Sequence, residues 1–297
     1  MVKADILDTE EHMNKIKSFG IIGGDIRQLY CARSALDDGY AVLVSGFEKC
    51  DEKMGIENVS PETAVNASDA LILPLPVSKD GRQLYSPFSD KPVSAADILS
   101  LVKKGQPVFC GLEGSLPASE FSGIEHYFYG KREDFAVANA VPTAEGAIEA
   151  AMKNSDITLA SSECLVAGYG RIGRVLSSFL RGLGAEVTVS ARKSRDIEFI
   201  RASGMRAVNT GSIKGRFDFI FNTVPSLVFD RKTLADCAAG AIIIDLASQP
   251  GGVDREAAGI MNIPVYHALS LPGKVAPKTA GVIIKNAVYN IIGEEGK

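Results

Sequence analysis

The stretch Cys164-Leu-Val-Ala-Gly168-Tyr-Gly170-Arg-Ile-Gly173-Arg174 decides how this chain is read. A short apolar run, Leu165 to Ala167, leads into Gly-x-Gly-x-x-Gly, and an amphipathic segment from Arg171 to Gly182 follows. A second apolar run, Glu186 to Ser190, completes one strand–helix–strand length. That context separates a dinucleotide-binding turn from an ordinary glycine turn. Gly168 allows the tight turn, Gly170 lets a pyrophosphate approach the backbone, and Gly173 lets the helix lie close on the strand. Arg171 and Ile172 open that helix, whose N-terminal amides suit an anion.

The end of the second strand indicates which dinucleotide is bound. NAD-binding folds usually carry an acid there to accept from the ribose hydroxyls. This chain has Ser190-Ala-Arg192-Lys193, with no acid until Asp196. Ser190 can donate to a 2′-phosphate, Arg192 can fork onto it and Lys193 adds a point charge, so NADP is expected. Phe217 to Pro225 and Ala241 to Ser248 read as further buried strands ending in polar turns. Asn222 and Thr223 are expected to hydrogen-bond ribose or carboxamide, with Pro225 walling the cavity. Asp245 is expected to bind loop amides rather than act as a base.

The remaining composition is that of a soluble protein. A chain of 297 residues is long enough for two domains, and its net charge of −4 gives no reason to expect nucleic acid or an anionic membrane. Five scattered cysteines without a C-x-x-C pair read as reduced thiols. Three histidines without ligand spacing argue against a metal site. Met1 to Phe19 is charged and lacks the apolar segment of a signal peptide, so a cytoplasmic protein is expected.

The first half has its own alternation of strand and helix. Phe19 to Gly24, Ala41 to Val44, Ala70 to Leu73 and Pro107 to Cys110 read as strands. Asp25 to Asp38 and Ala95 to Lys103 read as helices, giving a mostly parallel sheet. Its turn, Gly23-Gly24-Asp25-Ile-Arg27-Gln28, supports two readings. Asp25 and Gln28 can form a capping box, and the turn can at the same time be an anion site with Arg27 facing a carboxylate. Ser78 leaves the edge where open sheets of this kind bind ligands. Pro142-Thr143-Ala-Glu145 is expected to start a connecting helix, about Thr143 to Asn154. Near the end, Leu271-Pro-Gly-Lys-Val-Ala-Pro277-Lys278-Thr279 reads as a stiff loop delivering Lys278 and Thr279 to the N-terminus of an apolar helix, Val282 to Ile292. A lysine there opposes the helix dipole unless an anion is near.

Four motifs together carry a resemblance. Gly23-Gly-Asp-x-Arg-Gln, Asn139-x-x-Pro-Thr-x-Glu-Gly, Asp245-Leu-Ala-Ser-x-Pro-Gly-Gly and Leu271-Pro-Gly-x-x-Ala-Pro-Lys-Thr-Ala-Gly resemble the dipicolinate synthase A subunits of spore-forming bacteria. The resemblance covers about Phe19 to the C-terminus and leaves a leader, Met1 to Ser18, without a role. It implies a NADP-dependent enzyme that makes dipicolinate from dihydrodipicolinate in the mother-cell cytoplasm during sporulation, accompanied by a flavoprotein-like B subunit. Arg27 and Lys278 would then grip the two substrate carboxylates, with Thr279 and Ser78 as donors and Lys278 a candidate for the departing proton. A methylenetetrahydrofolate-dehydrogenase-like enzyme and a NADP-binding regulatory subunit without turnover are the alternatives. A homo-oligomer is compatible with either.

The expected fold class is α/β: two doubly wound Rossmann-like domains separated by a cleft. Residues 1–142 form the substrate side and regain the helix at 277–297, and residues 143–276 bind NADP.

Overall fold

The computed structural model describes residues 15–52, 54–237, 239–248 and 250–295. Most of the charged leader, residues 1–14, therefore lies outside the described residues. Two compact units emerge: the described residues up to Asn139 together with those from Ala276 onward, and residues Ala140–Val275.

In the first unit, strands β1 (Ser18–Ile22), β2 (Ala41–Ser45), β3 (Glu57–Asn58), β4 (Ala70–Ile72), β5 (Val108–Cys110) and β6 (His126–Phe128) form one sheet in the order β3-β2-β1-β4-β5-β6. In the second, β7 (Glu163–Ala167), β8 (Glu186–Ala191), β9 (Arg206–Asn209), β10 (Phe219–Asn222), β11 (Ile242–Asp245) and β12 (Val265–His267) repeat that order as β9-β8-β7-β10-β11-β12. Every strand pair is parallel. The order reverses at β1/β4 and at β7/β10, the switch points where doubly wound sheets bind ligands.

Both faces of each sheet are covered because the central strands are apolar on both sides. Along β7, Cys164 and Val166 join one buried cluster, while Leu165 and Ala167 join another. Phe219 and Phe221 alternate with Ile220 in the same way along β10. Alternation of period two, with both phases hydrophobic, is the pattern of a strand buried between two helical layers.

The connecting helix differs from its expected start at Thr143. A single helix of 21 residues, Glu133–Lys153, carries Pro142 inside it, and the division between the units falls within its length. Proline removes one N–H and kinks a helix. Here Ala140, Ala144, Ala147 and Ala151, all buried at helical spacing, continue the packed face across that gap. The segment expected as a stiff loop is itself a short helix, Leu271–Val275. Pro277 then opens the C-terminal helix, Pro277–Glu295, because the missing N–H costs nothing in a first turn.

That C-terminal helix packs in the first unit on the helix Ile26–Asp37. Gly281 makes the crossing close: a Cβ there would stand 2.5 Å from the Arg27 carbonyl oxygen and 2.6 Å from Tyr30 Cβ. Further along, Lys285 pairs with Asp38. At the far end, Arg132 donates from Nη1 and Nη2 to Glu294, both at 2.7 Å, and from Nε and Nη2 to Asp134. Arg132 thereby holds the Asp134 carboxyl down at about 2, against the opposing pull of burial. A depressed carboxylate stabilises the fold above its unfolded value and loses that contribution as pH falls through its folded one. Arg132→Met is therefore expected to cost about 1 kcal/mol near neutrality, after allowance for the partial exposure of the pair. In urea titrations the difference from the parent protein should shrink between about pH 4 and about pH 2.

The five cysteines are free and buried, and burial pushes the Cys31, Cys164 and Cys237 thiols up to about 12. No helix among the described residues is long and apolar enough to cross a membrane.

Candidate functional site

In the second unit, β7 runs into a turn whose three glycines are needed for different reasons. Gly168 has φ +100°, in the left-handed region, and a Cβ on it would fall 2.5 Å from Thr223 Oγ1. Its amide donates to the Ser190 carbonyl at 3.0 Å. Gly173 lies against the turn so closely that a Cβ would sit 2.1 Å from the Gly168 carbonyl oxygen. Gly170 is different. Its φ of −81° suits any residue, and no atom lies within 4 Å of where its Cβ would be. The fold does not require glycine there. Gly170 is also the N-cap of the helix Arg171–Gly182, and no side chain caps that end. Uncapped amides beside an open glycine form the cradle that a pyrophosphate fits.

A cavity of about 410 Å³ opens from this turn. Gly168, Tyr169 and Gly170 form one wall, Ala191 to Lys193 the second, and Thr223 to Ser226 the third. Four cations line it, Arg174, Arg192, Lys193 and Arg195, against one carboxylate, Asp196. The Arg174 guanidinium lies 4.9 Å from the centre of the Tyr169 ring, and its Nε donates to the Tyr169 carbonyl. Arg192 and Lys193 are exposed and have no carboxylate in ion-pair range among the described residues. Thr223 Oγ1 donates to the Ala167 carbonyl at 2.8 Å, which locks the third wall under the glycine turn.

Of the cofactor residues expected from sequence, Gly168, Gly170, Arg192, Lys193, Thr223 and Pro225 come together around this cavity, with Gly173 behind the turn. Arg171 and Ile172 contribute the first helical turn; the Ile172 side chain packs on the domain core instead of the cavity. The structure places two others, Ser190 and Asn222, outside the lining. Ser190 is completely buried, with Thr210 Oγ1 3.2 Å from its hydroxyl. Asn222 is also completely buried: its amide donates to Val224 O and Asp245 Oδ1, and its own oxygen accepts from Val224 N. It fixes the turn after β10 and lies buried away from the cavity. Asp245 binds a loop amide, that of Ala247, as expected, and leaves Oδ2 buried without a hydrogen bond. The sequence reading missed Tyr169, Arg174, Arg195 and Thr210 as lining residues; only the position of the arginines beside the glycine turn and the β8 end hinted at them.

In the first unit, the Asp25 half of the capping account of the Gly23-Gly24 turn is present. Gly24 N donates to the Tyr85 carbonyl at 2.6 Å, and Asp25 caps the following helix by accepting from Arg27 N. The structure places Arg27 against Asp25. Its Nε and Nη2 fork onto Asp25 at 2.8 Å each, and Nη2 also donates to Leu75 O. Burial pulls the guanidinium's pKa down, but the hydrogen bond and charge of Asp25 outweigh it and the pKa is raised. Gln28 turns inward toward the Tyr129 hydroxyl instead of closing a capping box. Ser78 is engaged locally: its hydroxyl, nearly buried, accepts from the Asp80 and Gly81 amides of its own turn. Lys278 and Thr279 are exposed in the first turn of the C-terminal helix, three and two residues before the Gly281 contact with Arg27. The fold thus brings the two ends of the sequence together here. Among the described residues no group of three or more His, Cys, Asp or Glu side chains could hold a metal.

Comparison with known proteins agrees with this fold. Residues 18–115 match the N-terminal domain of the dipicolinate synthase A subunit, and residues 137–257 match the NAD-binding domain of D-isomer-specific 2-hydroxyacid dehydrogenases. The dipicolinate synthase A subunit of Bacillus subtilis (strain 168) is 31% identical over 291 residues, covering 93% of this chain and 97% of that protein. The crystal structure of the dipicolinate synthase A subunit from Bacillus halodurans is 29% identical, with a TM-score of 0.83 over 93% of this chain and 97% of that one. The corresponding Bacillus subtilis structure is 30% identical, also with a TM-score of 0.83, over 94% and 96%. The folate-dehydrogenase alternative is thereby set aside. With a dehydrogenase domain built for a nicotinamide dinucleotide and this likeness along nearly its whole length, the chain belongs to the family of dipicolinate synthase A subunits.

Proposed function

We propose that this protein oxidises dihydrodipicolinate to dipicolinate with NADP⁺ as the acceptor. The observation that carries the cofactor choice is the pair Arg192 and Lys193, exposed on the cavity wall with no acid at the end of β8. A 2′-phosphate satisfies those two cations, whereas a bare ribose leaves them idle. When bound, the dinucleotide supplies the hydride acceptor. The uncapped amides after Gly170 hold its pyrophosphate, and Thr223 and Pro225 bound the space beside it.

The substrate is a ring with two carboxylates, and cations must orient it at near-attack distance. Lys278 and Thr279, exposed at a helix N-terminus with no acid in its first turn, are the groups we assign to a carboxylate. Arg27, engaged by Asp25, supports the neighbouring helix. Aromatisation of the ring provides driving force, so orientation is the protein's main task. The same reading makes a flavoprotein-like B subunit its partner and the cytoplasm of a sporulating mother cell its setting.

Calorimetric titration tests the cofactor half. Arg192→Ser combined with Lys193→Ser is expected to weaken NADP⁺ binding by about 100-fold, the loss of roughly 3 kcal/mol of charge-assisted hydrogen bonding. NAD⁺ binding should change by less than about threefold, since no ribose hydroxyl needs those cations. Equal losses for both dinucleotides would contradict a phosphate role.

A further inference from the structure

We propose that Asp196 limits how strongly the cavity prefers the phosphorylated dinucleotide, and so sets the cofactor ratio. The inference rests on the NADP reading and deepens it. Asp196 stands in the first turn of the helix Ser194–Ala202 and lines the same cavity as Arg192 and Lys193. Its side chain is 16% exposed, and its Oδ1 is buried without a hydrogen bond.

Two cations face that oxygen, each just beyond bonding distance. Arg174 Nη2 is 3.6 Å away and Arg195 Nε is 3.8 Å away. Arg174 is held back by its ring contact and hydrogen bond to Tyr169. The carboxylate thus sits among charges with an acceptor site unspent. Oδ1 itself is closed off from the cavity, which the carboxylate meets through its charge and the exposed 16% of its side chain.

An adenosine ribose offers hydroxyl donors to that exposed part of the carboxylate. A 2′-phosphate removes one donor and adds negative charge near Asp196, which repels it. The four cations of the lining pull the other way. Asp196 therefore favours NAD⁺ and opposes NADP⁺, while the cations favour NADP⁺, and the balance is a moderated preference. This acid lies on a helix outside the β8 end, where the ribose-binding acid of NAD proteins is normally sought.

The test is titration calorimetry of NADP⁺ and NAD⁺ with the full chain, the Asp196→Asn variant and the Asp196→Ser variant. Asparagine keeps the size and removes the charge. We expect NADP⁺ affinity to rise by about five- to tenfold, the scale of one partly screened charge pair, with NAD⁺ affinity unchanged or lower. Serine keeps a polar group if asparagine disturbs the helix, and should shift the ratio in the same direction. If Asp196 merely staples the helices Arg171–Gly182 and Ser194–Ala202 through Arg174, both affinities fall in parallel and the ratio stays constant, which overturns the inference while the dinucleotide reading stands. Parent protein that binds neither dinucleotide would overturn both.

Discussion

Gly170→Ala is expected to weaken dinucleotide binding by about 30- to 100-fold, the value of one or two charge-assisted hydrogen bonds, and to leave the fold intact. The cause is local. Apart from its chain neighbours, no described protein atom lies within 4 Å of the added methyl, and φ at this position is −81°. The only cost to folding is the poorer N-cap character of alanine, on the order of 1 kcal/mol or less. A pyrophosphate resting on the uncapped amides would meet that methyl directly. Gly173→Ala serves as the contrast, because its Cβ would stand 2.1 Å from the Gly168 carbonyl oxygen. Backbone has no rotamer into which it can retreat, so this variant should lose stability and binding together. Thermal melts paired with NADP⁺ titration distinguish the two variants. A Gly170→Ala protein that binds as well as the parent would remove the ligand explanation for that glycine.

The second large effect is expected at Gly281. Alanine there would place Cβ 2.5 Å from Arg27 O, 2.6 Å from Tyr30 Cβ and 2.7 Å from Cys31 N. Two of these contacts are backbone atoms of a packed helix, so the helices must separate. Overpacking of this kind costs about 3 kcal/mol, or a fall in melting temperature of roughly 6 to 12 °C for a unit of this size. Separation would also displace Lys278 and Thr279, one turn earlier on the same helix. The Gly281→Ala protein should therefore show a raised KM for the dicarboxylate even well below its melting temperature, with NADP⁺ affinity little changed. A melting temperature equal to the parent's would contradict the close crossing.

What the sequence made legible was what depends on neighbours in the chain. The Gly168-x-Gly170-x-x-Gly173 turn, the strands on either side and the helix from Arg171 were readable because turn geometry and strand alternation are local. The exposed cations Arg192 and Lys193 followed from their place after a strand. Side-chain direction at a strand end was not legible. Ser190 and Asn222 are polar residues closing apolar strands, and composition does not say whether such a residue faces a ligand or a neighbouring loop. Arg27 looked available because its partner, Asp25, had already been assigned as a cap, and one carboxylate performs both tasks. Pro142 looked like a helix start because proline favours a first turn, whereas the alanine face spanning it is a tertiary feature. Thr210 follows β9, a strand of four residues with none fully buried, which leaves little hydrophobic signal. The approach of Arg174 to Asp196 joins two helices and exists only once the sheet is built.

The decisive measurement is simultaneous recording of reduced nicotinamide and of dipicolinate in one reaction. The reaction would contain this chain alone, NADP⁺ and freshly generated dihydrodipicolinate. Both products should appear together, in equal amounts, and the reaction should slow in the Arg192→Ser, Lys193→Ser protein. Dipicolinate formed without reduced nicotinamide, or no turnover by a protein that binds NADP⁺ fully even after a dipicolinate synthase B subunit is added, would contradict the proposed oxidation.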